Sequence, residues 1–307
     1  MSSYKRFICM DTFVTIKIIS GENQSKTDDS IDRGVALFYK VERICSRFDP
    51  ETELMKLSSQ TGRSVAVSPI LYSAVKFAVE TARETGGAFD PSIGRKLERR
   101  GFNKNYLSGH IVSSDFIEDD HAGYRDIILD DRNHSILLKK PMIIDLGGVA
   151  KGLAIDLAAE EIRTIGYSDF LINAGGDLYA SGHDENGKDW TIGIRHPMRR
   201  NELVGTVQLT DAAICTSGDY ERPSPVLPNE NHLLDPFNGK SPDSLVSCTV
   251  IAPFAMLADT FSTASFVMGP ESGIKKMEEM DLDCLMFTRS MTHVSTNNFK
   301  EKCSWHD

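Results

Sequence analysis

Seven short blocks of glycine, hydroxyl and acidic residues punctuate this chain almost from end to end, and the segments between them read as short strands and helices. In order the blocks are Met10-Asp11-Thr12-Phe13, Gly87-Ala88-Phe89-Asp90, Asp145 to Gly152, Asn173-Ala174-Gly175-Gly176-Asp177, Thr216-Ser217-Gly218-Asp219, His232-Leu233-Leu234-Asp235-Pro236 and Ala258 to Thr263. Glycines let a backbone approach a ligand, hydroxyls and free amides bind phosphate oxygens, and a carboxylate can hold a cation among those phosphates. Taken together, the set describes a site for a nucleotide diphosphate and a metal.

The segments have readable periods. Residues 7–19 alternate around Val14, Ile16 and Ile18 as a strand does, and Ile31, Val35, Phe38, Val41 and Ile44 recur at helical spacing. Ser68-Pro69 is a cap and first-turn pair for a helix that Gly86-Gly87 stops. A hairpin is expected over 124–144, turning at 131–134, with its second strand running into Gly147-Gly148. A helix over 149–165 follows, closed by Gly166. Strand, glycine turn and helix in that order aim helix-start amides at an anion. Short strands are expected at 170–173, 178–181, 190–195, 204–209, 213–216 and 246–252, and helices at 255–268 and 271–280. The fold class is therefore α+β, a single domain over 1–307 with a mainly antiparallel sheet and flanking helices.

Composition narrows the partners. With 40% hydrophobic and 25% charged residues in 307, the chain has an ordinary globular balance, and charge breaks every apolar stretch before a membrane span is reached. Asp and Glu outnumber Lys and Arg by 44 to 34, a net charge of −10, which argues against nonspecific nucleic-acid or anionic-lipid binding. An anionic ligand must then be held locally. Six scattered cysteines without a Cys-x-x-Cys spacing suggest reduced thiols rather than a zinc knuckle or disulfide framework. Tyr4, Lys5 and Arg6 interrupt the few residues before Cys9, so as written the chain has no signal peptide or lipid-anchor site and a cytoplasmic location is expected; a trimmed chain would remove that inference.

Each candidate residue has a bland reading beside the chemical one. Asp259 and Thr263 leave the same helix face and suit Mg²⁺, which takes one or two protein carboxylates and completes its shell with water and phosphate. A buried Asp that bonds locally and a Thr that bonds back to its helix fit the same spacing. The Gly148 carbonyl can join that cation and Lys151 can reach phosphate, or Gly147-Gly148 is a packing turn and Lys151 is solvated. No Walker, Rossmann or Gly-x-Ser-x-Gly pattern occurs. His232 is the best proton-transfer candidate, because imidazole titrates near neutral pH. Thr216, Ser217 and Gly218 suit phosphate or ribose but also make simple turns, and Gly175-Gly176-Asp177 reads more readily as a backbone device than as a contact.

In this order the blocks resemble the ApbE family, the FAD:protein FMN transferases, over residues 7–296. The family's Met-Gly-Thr stands here as Met10-Asp11-Thr12. Its Ser-x-Tyr-x-x-x-Ser-Glu reads Ser46 to Glu53, with Phe48 keeping the stacking face without the hydroxyl. Asn238 stands where a Thr is usual in His-x-x-Asp-Pro-x-x-Gly, which otherwise matches His232 to Gly239. The resemblance implies FAD contacts at Met10, Phe48, Ala88, Phe89, Asp90, Asp145, Lys151, Thr216, Ser217, Gly218, His232 and Leu233. It implies a metal held by Gly148, Asp259, Ser262 and Thr263, and catalysis by His232. The implied reaction takes FAD as substrate with Mg²⁺, attaches FMN through a phosphoester to a Thr or Ser of a partner flavoprotein, and releases AMP. A flavin-binding protein without turnover and an FAD pyrophosphatase are the alternatives. Acceptors in that family carry an Asp-x-x-Ser/Thr-Gly-Ala-Thr type segment, which this chain lacks, so the acceptor is expected to be another protein.

Overall fold

A computed structural model describes residues 2–21, 24–112, 121–199 and 201–306. Along the chain run β1 (Ser2–Cys9), β2 (Thr12–Ile19), α1 (Gln24–Cys45), α2 (Glu53–Ser58), β3 (Ser64–Ala66), α3 (Pro69–Glu84), α4 (Gly94–Arg99), β4 (Ile127–Asp130) and β5 (Ser135–Leu138). Then come α5 (Ala150–Ile165), β6 (Phe170–Ala174), β7 (Asp177–Ser181), β8 (Trp190–Arg195), β9 (Leu203–Leu209), β10 (Ala212–Gly218) and β11 (Leu245–Ala252). The chain closes with α6 (Ala255–Glu279), β12 (Asp283–Thr288), β13 (His293–Ser295), α7 (Asn297–Lys302) and β14 (Cys303–Trp305). Helices and antiparallel pairing are mixed throughout, the α+β class expected. Among the described residues no helix is long and apolar enough to cross a membrane.

The elements gather into two compact units. The first comprises Met1–Tyr39, Lys151–Tyr220 and Asp243–Asp307, and the second Lys40–Ala150 and Glu221–Pro242. In the first, an antiparallel sheet runs in the order β1-β2-β6-β7-β10-β11-β12-β13, and a second sheet runs β14-β9-β8. Ile214, Ile251, Leu285 and Phe287 of the large sheet form one core with Trp190, Ile192, Val207 and Phe299. Every residue of β11 is buried, as expected of a central strand covered on both faces. Cys215 and Ser217 point to the other face, where α6 lies: the Cys215 thiol is 3.7 Å from the Ala255 carbonyl.

One local feature of this unit departs from its sequence reading. Residues 7–19 are the end of β1 and all of β2, not one strand, because Met10 and Asp11 take φ of 54° and 59° and form a two-residue hairpin turn. Such turns usually advertise themselves as Asn-Gly or Asp-Gly, a signature absent here. The helices expected at 255–268 and 271–280 are both present, as two helical stretches of α6 separated at Gly269 with φ 79° and ψ 176°. Pro270 cannot donate to the helix and disfavours helical geometry in the residue before it, which is why the break falls there.

Helix α5 approaches the start of α6 at Gly152. A Cβ built there would lie 2.4 Å from the Met256 Cα and 2.6 Å from the Ala255 carbonyl oxygen. These are backbone atoms, which cannot rotate aside. Gly152→Ala is expected to destabilise the protein by about 3 kcal/mol or more; a denaturant midpoint equal to wild type would refute that contact.

In the second unit Leu54, Leu57, Leu71, Val75 and Val79 of the helices are buried, as are Ile127 and Ile136 of the sheet β3-β5-β4. The Ser68-Pro69 start of α3 is as read, with Ser68 capping Leu71 N and held in turn by both Glu53 carboxylate oxygens. The hairpin turn at 131–134 also matches. Its second strand stops at Leu138, short of Gly147, because residues 139–149 pair elsewhere: Asp145 N donates to the Pro91 carbonyl and Gly94 N to that of Ile143.

Candidate functional site

In the first unit, α5, β7 and α6 bring three charged side chains together. The Lys151 ammonium lies 2.8 Å from Asp177 Oδ2 and 3.1 and 3.0 Å from the two oxygens of Asp259. Asp177 and Asp259 are 5% and 3% exposed. The Gly152 amide also donates to Asp259, at 3.3 Å, and the Thr216 amide to Asp177, at 3.3 Å. Burial pushes the Asp259 carboxyl up to about 6, a rise that Lys151 opposes and Asp177 reinforces. Burial also works against the Lys151 charge, but the two carboxylates outweigh it and hold that pKa above its ordinary value. The cluster sets two carboxyl groups against one ammonium. Lys151 is thus not simply solvated, and Asp177 is more than a backbone device.

Next to this cluster on α6 lies a set of hydroxyls. Ser217 Oγ is 2.8 Å from Ser262 Oγ and 3.0 Å from Thr263 Oγ1. Asp259 and Thr263 share a face of α6, four residues apart. Ser262 is fully buried and donates to the Asp259 carbonyl at 2.8 Å, so its hydroxyl serves the helix. Thr216 and Ser217 are neighbours in β10, and successive strand side chains point to opposite faces. Accordingly Thr216 Oγ1 meets Thr249 Oγ1 across the strands at 2.9 Å, while Ser217 turns to α6. The two hydroxyls therefore do not form one cradle.

The start of α6 is held by a residue that spacing did not flag. Phe254, at the cap position, offers no side-chain bond, and Asp156 of α5 accepts from the Ala255 and Met256 amides at 2.6 and 2.8 Å. Burial pushes the Asp156 pKa up to about 6. A carboxyl whose folded pKa is raised keeps its proton longer in the folded state, so its contribution to stability falls as pH rises from about 4 to about 6, by up to ~3 kcal/mol. Urea unfolding of wild type and Asp156→Asn is expected to show wild type losing about that much relative to the variant between pH 4 and 7. Parallel stability curves would rule it out.

In the second unit, Phe48 and Asp145 share one arginine. Arg47, 3% exposed, donates from Nε to the Asp145 carboxylate and lays its guanidinium over the Phe48 ring, 4.3 Å from the centroid. Asp145 also accepts from the Gly147 amide at 2.9 Å, shaping the glycine turn. Asp90 is committed to local work: it accepts from Ser92 N at 2.8 Å and Tyr124 N at 3.3 Å, and burial raises its pKa. Ala88 and Phe89 are both buried at 7% exposure.

His232 sits half-buried on the segment 221–242 of the same unit, its ring T-shaped to Phe102 with centroids 6.4 Å apart. The base of that segment converges on Arg100, itself 3% exposed. The Arg100 guanidinium donates to the Asn231 carbonyl at 3.0 Å, the Gly239 carbonyl at 2.6 Å and Ser241 Oγ at 2.9 Å, and pairs with Glu230 at 2.8 Å. Asn231 Oδ1 in turn accepts the Leu233 amide at 2.8 Å, while Leu233 itself is buried. Arg47, Arg100, Asp156 and Asp177 are the residues sequence reasoning missed. Asp177 lay inside a block already marked and Arg47 inside the Ser46 to Glu53 pattern, whereas Arg100 and Asp156 lay in neither.

Comparison with known proteins accounts for these blocks. The model of the ApbE family matches residues 10–286. Proteins named FAD:protein FMN transferase match from Klebsiella pneumoniae strain 342, 30% identical over 78% of this chain and 76% of theirs, and from Vibrio cholerae, 27% identical over 96% and 88%. The ApbE protein of Thermotoga maritima, a crystal structure, superposes with a TM-score of 0.87 at 30% identity, covering 98% of this chain and 99% of that one. With its blocks, its antiparallel α+β fold and a family match over most of its length, this chain belongs to the ApbE family.

Proposed function

We propose that this chain is an FAD:protein FMN transferase that moves the FMN half of FAD onto a Thr or Ser hydroxyl of a partner flavoprotein and releases AMP. The observation that carries the reading is the buried Asp259–Lys151–Asp177 cluster beside the Ser217–Thr263 hydroxyls, a built polar site of two carboxyl groups and one ammonium. Among the described residues, no three His, Cys, Asp or Glu side chains gather into a metal cage. One carboxylate with neutral oxygens suits Mg²⁺, which keeps several waters and leaves positions for phosphate. Asp259 and Thr263 would hold it, with the Gly148 carbonyl and the Ser262 backbone as the further oxygens the resemblance assigns. When bound, the ion supplies Lewis-acid stabilisation of charge developing on the phosphoryl oxygens.

The remaining work falls to the chain's own residues. Phe48, backed by Arg47, offers an aromatic face to the flavin, and Met10, Ala88, Phe89, Asp90, Asp145, Thr216, Ser217, Gly218 and Leu233 are the positions assigned to the rest of FAD. Lys151 supplies a cation for the phosphates. His232 accepts the proton as the acceptor hydroxyl oxygen attacks the phosphorus on the riboflavin side. That O–P bond forms as the bond from phosphorus to the AMP oxygen breaks, and AMP departs. We take residues 1–307 as one functional domain, since the family match runs through both compact units. Six buried free thiols suit a reducing compartment, which supports cytoplasmic action.

Mixing the purified protein with FAD, Mg²⁺ and candidate acceptors tests this directly. Mass spectrometry should find FMN added to a Thr or Ser, with AMP in equal amount. AMP and free FMN without an adduct would mean a pyrophosphatase, and bound FAD without AMP a binding protein.

A further inference from the structure

Resting on the metal reading above, we infer that Asp177 is a positioning residue that keeps the Lys151 ammonium when Asp259 turns its oxygens to a divalent ion. In the structure one ammonium serves two carboxylates, closer to Asp177 at 2.8 Å than to Asp259 at 3.0 and 3.1 Å. A divalent ion at Asp259 competes for the same oxygens and repels the ammonium. Unit charges a few ångströms apart interact strongly in so buried a place, and a lysine left there without a counter-ion would oppose metal binding outright.

Asp177 is arranged to prevent that. It is the first residue of β7, paired with Ala174 across the Gly175-Gly176 turn, and its Oδ1 accepts the Thr216 amide from β10. The carboxylate is thus held by the sheet, whereas Lys151 has a flexible four-carbon stem. The ammonium moves and the acid stays. Asp177 thereby lets one lysine neutralise Asp259 before the metal arrives and remain beside it afterwards as a paired cation.

Asp177→Asn tests charge rather than shape, since the amide can still accept from Thr216. Calorimetric titration of the FAD-free protein with Mg²⁺ alone gives a readout independent of turnover. The Asn variant is expected to bind Mg²⁺ about 10- to 100-fold more weakly, the range for residues that support a metal ligand. Adding Lys151→Met to it should restore most of the affinity, because the uncompensated ammonium is gone, a rescue that a merely structural Asp177 does not predict. Lys151→Met alone, which avoids any folding defect of the Asn variant, should bind Mg²⁺ at least as tightly as wild type. Wild-type affinity in Asp177→Asn, no rescue in the double variant, or weaker binding in Lys151→Met each overturns the inference. If Asp259→Asn binds Mg²⁺ like wild type, the metal reading fails and the inference with it; loss in Asp259→Asn with none in Asp177→Asn removes Asp177 alone.

Discussion

Asp259→Ala is expected to lose Mg²⁺-dependent turnover by on the order of 10³-fold or more, the equivalent of several kcal/mol of charge stabilisation at the phosphoryl group. Asp259 is the one carboxylate on the α6 face that also carries Thr263, and its removal leaves no anion there for a metal. The fold should survive the change. Lys151 keeps its Asp177 partner, at 2.8 Å, and among the described residues the bond lost besides the lysine's is the 3.3 Å contact from the Gly152 amide, worth about 1 kcal/mol. Turnover measured across a Mg²⁺ titration, alongside thermal unfolding, separates the two effects. Activity in the variant that still rises with Mg²⁺ as in wild type removes Asp259 from the metal.

His232→Ala is expected to bind FAD as wild type does and to transfer FMN about 10²- to 10⁴-fold more slowly, the usual range for a general base. Truncating the ring should not release the segment that bears it. Its backbone is held through Asn231, Gly239, Ser241 and Glu230, and the His232 amide donates to the Arg222 carbonyl at 3.1 Å, none of which needs the imidazole. FAD affinity from flavin fluorescence and single-turnover transfer rates make the comparison. A variant of normal rate takes His232 out of catalysis, and one that loses FAD binding makes it a contact instead.

What could be read from the chain beforehand was whatever is local. Ser68-Pro69, Gly166 and Gly269-Pro270 mark helix ends through the backbone of a few residues, and the structure has ends or breaks at each. The hairpin at Met10-Asp11 escaped because its turn lacks the glycine or asparagine that usually takes positive φ. The site divided along the same line. Asp259 and Thr263 share a face by helical spacing, and the structure agrees. Spacing could not reveal that Lys151 reaches a partner 108 residues away, that Arg47 pairs with Asp145 across 98, or that Arg100 gathers carbonyls 131 and 139 residues on. Periodicity carries no information about such pairs. They arise where the fold buries a charge and must answer it. Thr216 and Ser217 are neighbours in sequence, yet the strand sends their hydroxyls to opposite sides, which spacing alone does not display.

Arg100 grips the root of 221–242 with its guanidinium and takes the Ser224 hydroxyl on its own carbonyl at 2.7 Å. Farther out, Pro223 bridges to Asn231 and the Ser224 hydroxyl caps the Val226 and Leu227 amides, while Val226 and Leu227 stand 57% and 42% open to solvent. Anchorage and display are therefore separate responsibilities within one short stretch. The side chains of Val226 and Leu227 can therefore be exchanged without touching the bonds that seat Asn231 and Gly239 on Arg100, so what this stretch shows to solvent can change while the support beside the histidine stays.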